Sequence, residues 1–445
     1  MTKLPIELED GLVLRWATAE DTEAVAKFNA IHEDGPSMNG LIQNWTRDLM
    51  NGRHPTTSAS DFLIVTNATG DIVSSSCHIS QTWGYDGIEF PFGRPEIVAT
   101  SPDYRRRGLV AKQFDLLHEL SASRGELMQG ITGIPWYYRQ FGYEMGVDLG
   151  GSRRYQFPPQ KKKAETGTEK DKDKEAKKRY SWRKATTEDV SLLQALYDNH
   201  CQNSMIYTVR PENEWRHELE GHHPNSIVSK DCFIVEDDNG RTVAYTRFAC
   251  WNHHVFVNEV GARADISLRA VGLEMLKLYE TFAKKRQEKT GEEMIGVVFS
   301  FGRHHDLYEA LDPELASAVK PYAWYIRIPD MKAFLHKITP VLETRLAESV
   351  MASHEGKLKL NFYRRGALQI TFTAGKITEI VDYEMAHQRD ADANFPGLQF
   401  IQLVCGRREI DEIQHIHADC HANNGAKVLL KILFPKRNSQ PIGLN

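Results

Sequence analysis

The chain lacks most of what marks a secreted, membrane-spanning or nucleic-acid-coating protein. No stretch is long and apolar enough to cross a bilayer, and the best apolar run, Met294 to Phe301, is strand-sized. The N-terminus, Met1 to Gly11, is acidic and without the basic-then-apolar order of a secretion signal. Six cysteines (Cys77, Cys201, Cys232, Cys250, Cys405, Cys420) are scattered without a CxxC pair, the pattern of reduced thiols in a cytoplasmic protein. A net charge of −5 gives no electrostatic case for nucleic acid, so neither nucleic acid nor membrane is an expected partner. What remains is ordinary globular composition at a length of 445 residues, too long for one core and suited to two or three domains.

One segment is poor in apolar residues. Residues 158–178, from Pro158 to Lys178, hold nothing apolar larger than alanine and cannot offset the entropy of ordering, which predicts a charged mobile linker. Its interspersed acids and missing aromatics argue against a nucleic-acid-binding tail. The segments flanking it begin alike. Arg15-Trp-Ala-Thr-Ala-Glu20-Asp21 is echoed by Arg183-Lys-Ala-Thr-Thr-Glu188-Asp189, and Thr18 and Thr186 are each placed to cap a following helix. Tyr138-Arg-Gln-Phe141 against Tyr308-Glu-Ala-Leu311 is a second echo at nearly the same separation, so the sequence predicts a duplication of one α/β domain. After Pro329 the texture changes. Met331 to Ala352 has helical period, Lys357 to Thr378 alternates like an antiparallel hairpin, and Phe400–Val404 and Ala426–Phe434 add pieces of a small α+β domain. The chain ends in a proline-flanked extended tail from Pro435 to Asn445.

The most informative motif is Glu96-Ile-Val-Ala-Thr-Ser-Pro-Asp-Tyr-Arg105-Arg106-Arg107-Gly108-Leu109-Val110: a strand, a basic turn, and a glycine opening an amphipathic helix. Leu109, Val110, Phe114, Leu116, Leu117 and Leu120 form that helix's apolar face. First-turn N–H groups have no intrahelical acceptor and the helix dipole favours an anion there, so a phosphorylated ligand suits the turn. A triple arginine alone is more simply a basic surface turn; its company decides. Gly130-Ile-Thr-Gly-Ile-Pro-Trp-Tyr-Tyr138-Arg-Gln-Phe141-Gly142-Tyr143 follows.

Together these motifs resemble the acyl-CoA-binding core of the GNAT N-acetyltransferases, written Arg/Gln-x-x-Gly-x-Gly/Ala, with Val110 departing at the small-residue position. The whole plan is similar to the enhanced intracellular survival (Eis-like) branch. That resemblance implies tandem GNAT-like domains, each a mixed central sheet flanked by helices, followed by a small α+β sterol-carrier-protein-like domain. The expected division is a catalytic domain over 1–157, the linker 158–178, a degenerate GNAT-like domain over 179–329 and the sterol-carrier-like domain over 330–445. It implies acetyl-CoA as acyl donor, with no metal, and a primary amine as acceptor: a small polyamine-like or aminoglycoside-like molecule, or a lysine side chain. It further implies a homo-oligomer, the branch often forming hexamers.

By the same resemblance Val98, Ala99 and Thr100 lie beside the pantetheine arm, with the Val98 N–H a candidate for the thioester oxygen. Arg105, Arg106, Arg107, Gly108, Leu109, Val110 and Ala111 cradle the pyrophosphate mainly through backbone N–H groups, and Gly133 and Ile134 approach from the neighbouring segment. Tyr138 is the candidate acid: a phenol stays protonated at neutral pH and can protonate the departing sulfur. The candidate base is the C-terminal carboxylate of Asn445, although the branch usually ends in an aromatic residue. Glu89 and Asp86, acting through water, are substitutes. Loops at Glu33–Asn39 and Trp83–Phe92 are the expected acceptor contacts. The second domain lacks the arginine pattern in Val260–Ala270, so one site per chain is expected and Tyr308 reads as core. His415, His417, Asp419, Cys420 and His421 are dense but offer no second ligand pair for a tetrahedral metal. The rival reading is a catalytically inactive CoA- or lipid-binding scaffold, suggested by the last domain and by the departures at Val110 and Asn445.

Overall fold

The computed structural model describes residues 2–33, 40–159, 179–385, 387 and 390–443. Three expectations therefore lie wholly or partly outside the described residues: most of the linker, the acceptor loop beyond Glu33, and Asn445 itself.

The first half runs β1 (Ile6–Glu7), β2 (Val13–Trp16), α1 (Thr22–Glu33), α2 (Leu41–Met50), β3 (Phe62–Thr66), β4 (Ile72–Tyr85), β5 (Ile88–Thr100), α3 (Leu109–Ser123), β6 (Met128–Ile131), β7 (Glu144–Leu149) and β8 (Arg153–Gln156). The second runs β9 (Tyr180–Lys184), α4 (Val190–Cys201), β10 (Ile206–Val209), α5 (Glu212–Arg216), β11 (Asp231–Asp237), β12 (Thr242–Trp251), β13 (His254–Ala262), α6 (Leu268–Thr290), β14 (Gly296–Phe299), α7 (Asp306–Ala310) and β15 (Tyr322–Arg327). The last part holds α8 (Met331–Ala347), β16 (Gly356–Asn361), β17 (Ala367–Thr373), β18 (Lys376–Asp382), β19 (Ala393–Asn394), α9 (Gln399–Val404), α10 (Ile410–Ile416), β20 (His421–Ala422) and α11 (Asn424–Leu433).

Two mixed sheets repeat one plan. The first has the order β1-β2-β3-β4-β5-β6-β15-β7 with β10 beside β4, and the second β8-β14-β13-β12-β11-β9. In each, an antiparallel run ends in a single parallel pair, β5 with β6 and β13 with β14. The echoed sequences do the same work in both halves. Arg15 grips both carboxylate oxygens of Asp21 at 2.7 and 2.8 Å, and Arg183 grips those of Asp189 at 2.8 Å. Thr18 and Thr186 close capping boxes with the same aspartates, fixing where each following helix starts.

The halves also trade strands. β15 comes after the second half yet lies between β6 and β7 of the first sheet, while β8 leaves the first half to flank β14 in the second. Sheet membership thus crosses the sequence segments at both places, and a third time at β10, which joins β4 of the first sheet. Neither half can complete its sheet alone.

The third sheet has the order β18-β17-β16-β19-β20. Its apolar side chains, among them Phe334, Leu360, Phe372, Phe395, Phe400 and Leu430, are buried in one core shared with Tyr85, Phe90 and Phe92 of the first sheet. α8 stops at Ala347, short of the expected Ala352, where the Ser349 hydroxyl bonds the Leu346 carbonyl and closes the last turn.

Candidate functional site

The site begins with a strand pair that separates. β5 and β6 are paired only at Phe92–Met128 and Gly93–Gln129, after which their C-terminal ends diverge. The cause lies on the other edge of β5. Its register with β4 steps from Ser75–Ala99 to Cys77–Glu96, so Ile97 and Val98 share the single residue Ser76, and Ile97 takes φ +49°. A β-branched residue in the left-handed region marks a bulge that bends the strand. Val98, Ala99 and Thr100 therefore stand on the bent arm of β5, beside the opening.

A buried polar knot fixes that arm to α3. The Ser74 hydroxyl lies 3.1 Å from the Ala99 carbonyl, 2.9 Å from the Thr100 hydroxyl and 2.8 Å from the Gln113 amide oxygen. Gln113 in turn donates to the Leu63 carbonyl at 3.1 Å. Neither Ser74 nor Gln113 was singled out by the sequence, because buried Ser and Gln carry no periodic signature.

The arginine turn lies at the end of this arm. Arg106 and Gly108 both take positive φ, +64° and +72°, and α3 starts at Leu109 without a side-chain cap. Among the described residues, no backbone carbonyl accepts from the N–H groups of Arg106 through Ala111; the first bond is Lys112 to Gly108. An arc of free N–H groups at a helix N-terminus is an anion cradle. The arginine side chains are exposed and partly engaged elsewhere: Arg105 bonds the Thr100 carbonyl at 3.2 Å and Arg107 pairs with Asp10 at 3.0 Å. Val110 explains its own departure from the motif. It is half-buried and packs against the cluster that contains Phe114, Ile131 and Tyr138.

The opposite wall follows β6. Gly133 takes φ +122°, a conformation that favours glycine, and a Cβ there would lie 3.4 Å from the Tyr138 hydroxyl. Ile134 is half exposed beside it. Tyr138 sits in the short helix Tyr137–Phe141, 3% exposed, packed on Phe114, Tyr137, Tyr143 and Tyr325. Its hydroxyl makes no hydrogen bond among the described residues. Burial, reinforced by the charges of Glu96 and Glu33, raises its pKa well above that of an ordinary phenol. The exchanged strand supports this wall, since the Tyr325 hydroxyl of β15 accepts the Trp136 N–H at 2.5 Å.

Carboxylates near Tyr138 differ from the expected substitutes. Asp86 is held by Arg345 at 2.5 Å and Arg437 at 2.7 Å, and Glu89 stands near the start of β5, away from the opening. Glu96, not foreseen, is the acid beside the bulge. It pairs with Arg94 at 3.2 Å, one of its oxygens is buried without a partner, and burial raises its pKa. The tail arrives at the same place. Its residues bond Met205, Ile206 and Thr208 through Asn438, Gln440 and Ile442, and at Gly443 a Cβ would lie 3.5 Å from the Arg94 guanidinium and 3.6 Å from Trp324.

In the second half the corresponding opening is closed. Beyond the β13–β14 pairs the Ser300 N–H still bonds the Val257 carbonyl at 2.9 Å, and the Tyr308 hydroxyl donates to the Phe299 carbonyl at 2.8 Å while accepting from the Phe301 N–H at 3.0 Å. Among the described residues, no group of three or more His, Cys, Asp or Glu could hold a metal ion, and no helix is long and apolar enough to cross a membrane.

The fold that carries this splayed pair, N–H arc and phenol is shared with known proteins. Residues 28–146 match the family model of the acetyltransferase (GNAT) domain. The full chain resembles a GCN5-related N-acetyltransferase from Kribbella flavida, with 15% identity, 98% of each chain covered and a TM-score of 0.65. A GCN5-related N-acetyltransferase from Anabaena variabilis has 13% identity over 98% of this chain and all of its own, with a TM-score of 0.64. Eis1 from Mycobacterium abscessus has 14% identity, 97% and 99% coverage and a TM-score of 0.59. No curated protein matches the sequence. The chain therefore carries an acetyltransferase domain of the GNAT family, a family of acyl-transfer enzymes, in a tandem α/β frame. That frame is shared along nearly its whole length with an Eis protein, in keeping with the Eis-like resemblance.

Proposed function

We propose that the protein is an acetyl-CoA-dependent N-acetyltransferase acting on a primary amine, with one site per chain in the opening between β5 and β6. The observation that carries this reading is the Tyr138 hydroxyl facing Gly133, together with the arc of N–H groups at Arg106–Ala111, neither of them bonded among the described residues. Acetyl-CoA supplies an activated thioester; the chain's residues supply position and proton traffic. The cradle binds the pyrophosphate, with Arg105, Arg106 and Arg107 adding supporting charge. The bent arm at Val98–Thr100 offers backbone groups to the pantetheine, and the unpaired bulge residue Val98 an N–H for the developing oxyanion. Burial keeps Tyr138 protonated, which is the state an acid for the departing thiolate needs.

An amine must lose a proton to attack, and the C-terminal carboxylate of Asn445 is the proposed base. Gly443 already stands against Arg94, and Ile442 is the apolar anchor that the terminal asparagine does not provide. Glu96, paired with the same arginine, is the second candidate. The last part of the chain is read as a sterol-carrier-like domain with a packing role, and the full assembly as a cytoplasmic homo-oligomer. The scaffold alternative is disfavoured because that domain's apolar side chains are buried in a packed core shared with the first sheet. The test is thiol release from acetyl-CoA across a panel of primary amines. Saturable turnover with at least one amine is expected; CoA binding without turnover on any of them supports the scaffold instead.

A further inference from the structure

A cavity of about 260 Å³ lies where the two halves and the tail meet. Leu149 and Trp324 close it on the first sheet, Lys230, Arg247 and Asn258 on the second half, and Ser439 to Gly443 along the tail. Its charges are unbalanced. Asp148 is shared between Arg303 and Arg407, both at 3.1 Å. Glu259 takes Arg210 at 2.7 Å and Arg247 at 3.3 Å, and Glu218 is bonded by Arg247. Three carboxylates are thus occupied by guanidinium groups, and Lys230 is left over. Its ammonium reaches only the carbonyls of Ile227 and Val228, at 3.3 and 3.5 Å, and no described carboxylate pairs with it. Arg247, 3% exposed, has a buried Nε without a partner on the same wall. Carbonyl dipoles orient an ammonium but do not neutralise it. Burial accordingly pushes the Lys230 pKa down to about 8, with Arg247 adding to the effect and the Glu218 charge opposing it.

We propose that this cavity seats a carboxylate borne by the acceptor, so that the acyl group goes to a primary amine that is also a carboxylic acid, with Lys230 as the anchor. This rests on the acetyltransferase reading. The cavity's tail wall leads toward the candidate chemistry: a Cβ at Gly443 would lie 3.5 Å from the Arg94 guanidinium, Arg94 pairs with Glu96, and the Glu96 charge acts on Tyr138. Donors in surplus on a half-dry wall select an acceptor group, and a carboxylate satisfies two donors at once. A diamino or ω-amino acid has this chemistry; a simple diamine of equal length places a second cation against Lys230 and Arg247.

The experiment compares lysine with cadaverine and 4-aminobutyrate with butylamine, by acetyl transfer and by calorimetric binding, in the wild-type protein, Lys230→Met and Lys230→Arg. The carboxylated member of each pair is expected to bind and turn over better. Lys230→Met should raise its KM by about tenfold or more, the worth of a charged hydrogen bond, leaving kcat and the decarboxylated partner unmoved, and Lys230→Arg should restore it. Equal effects of Lys230→Met on both members, or none on either, overturn the proposal. If no amine is acetylated, calorimetry still decides: carboxylate binding lost in Lys230→Met keeps the carboxylate site while the transferase reading falls.

Discussion

Tyr138 and Tyr308 stand at corresponding ends of the two sheets, and their hydroxyls have opposite fates. Tyr308 spends its hydroxyl on the Phe299 carbonyl and the Phe301 N–H, stitching the end of β14 shut. Tyr138 is as deeply packed but its hydroxyl bonds no described residue, and it faces Gly133 across an open strand pair. One phenol is tied into the fold, and the other is the proposed acid.

Removing each hydroxyl should therefore separate stability from activity. Tyr138→Phe is expected to lower kcat by about 10²–10⁴-fold, the usual reach of an acid catalyst, with an unchanged melting temperature. Tyr308→Phe strands a buried N–H and carbonyl, costing about 1–3 kcal/mol, and should leave kcat intact. Steady-state kinetics and thermal melts on both variants check the crossing.

The pH profile carries a second mark. Tyr138 must be protonated to act, and burial followed by the charges of Glu96 and Glu33 raises its pKa. Activity should then hold through about pH 10, where an ordinary tyrosine is half ionised. A descending limb that starts below that value and disappears in Tyr138→Phe contradicts the assignment.

A histidine cluster at the junction of the halves sets acid sensitivity. His54 and His217 face each other with ring centroids 4.7 Å apart, His222 follows at 4.6 Å, and Glu214, Glu218 and Asp48 surround them. Burial, then His217, drops the His54 pKa to about 3; burial, then His222, drops that of His217 to about 4. Unfolded histidine titrates near about 6.5, so between those values the unfolded chain binds more protons than the folded one. The stabilisation is full above about pH 6.5 and declines as pH falls toward the folded values. Melting temperatures from pH 7 to 5 should fall less steeply in His54→Gln than in the wild type.

The tail makes a positional prediction. Asn438, Gln440 and Ile442 fix the path of its described part by bonds to Met205, Ile206 and Thr208. Adding one glycine after Asn445, or deleting Leu444 and Asn445, should lower kcat by about 100-fold while acetyl-CoA affinity and the melting temperature stay put. Unchanged kcat in both variants moves the base to Glu96, which Glu96→Gln then tests.

The sequence carried the local features well because their causes are local. The Arg15–Asp21 and Arg183–Asp189 clamps are short-range bonds within one motif, so the echo in residues was an echo in structure. α3 showed in its apolar stripe, Leu109 to Leu120, for the same reason. What stayed hidden was long-range. The exchange of β8 and β15 depends on pairing between distant strands, which periodicity does not encode. Glu96 was overlooked because its importance comes from a bulge, and Asp86 was overvalued because its two arginine partners come from far along the chain.

The account turns on the opening between β5 and β6 being the one acyl-CoA site in the chain, and calorimetric titration with CoA tests it most directly. One CoA per chain is expected. Binding should be lost in Gly108→Val, where a β-branched residue is forced to φ +72° at the mouth of the cradle, and kept in Tyr308→Phe. Two sites per chain, or full-strength binding by a folded Gly108→Val protein, contradicts it.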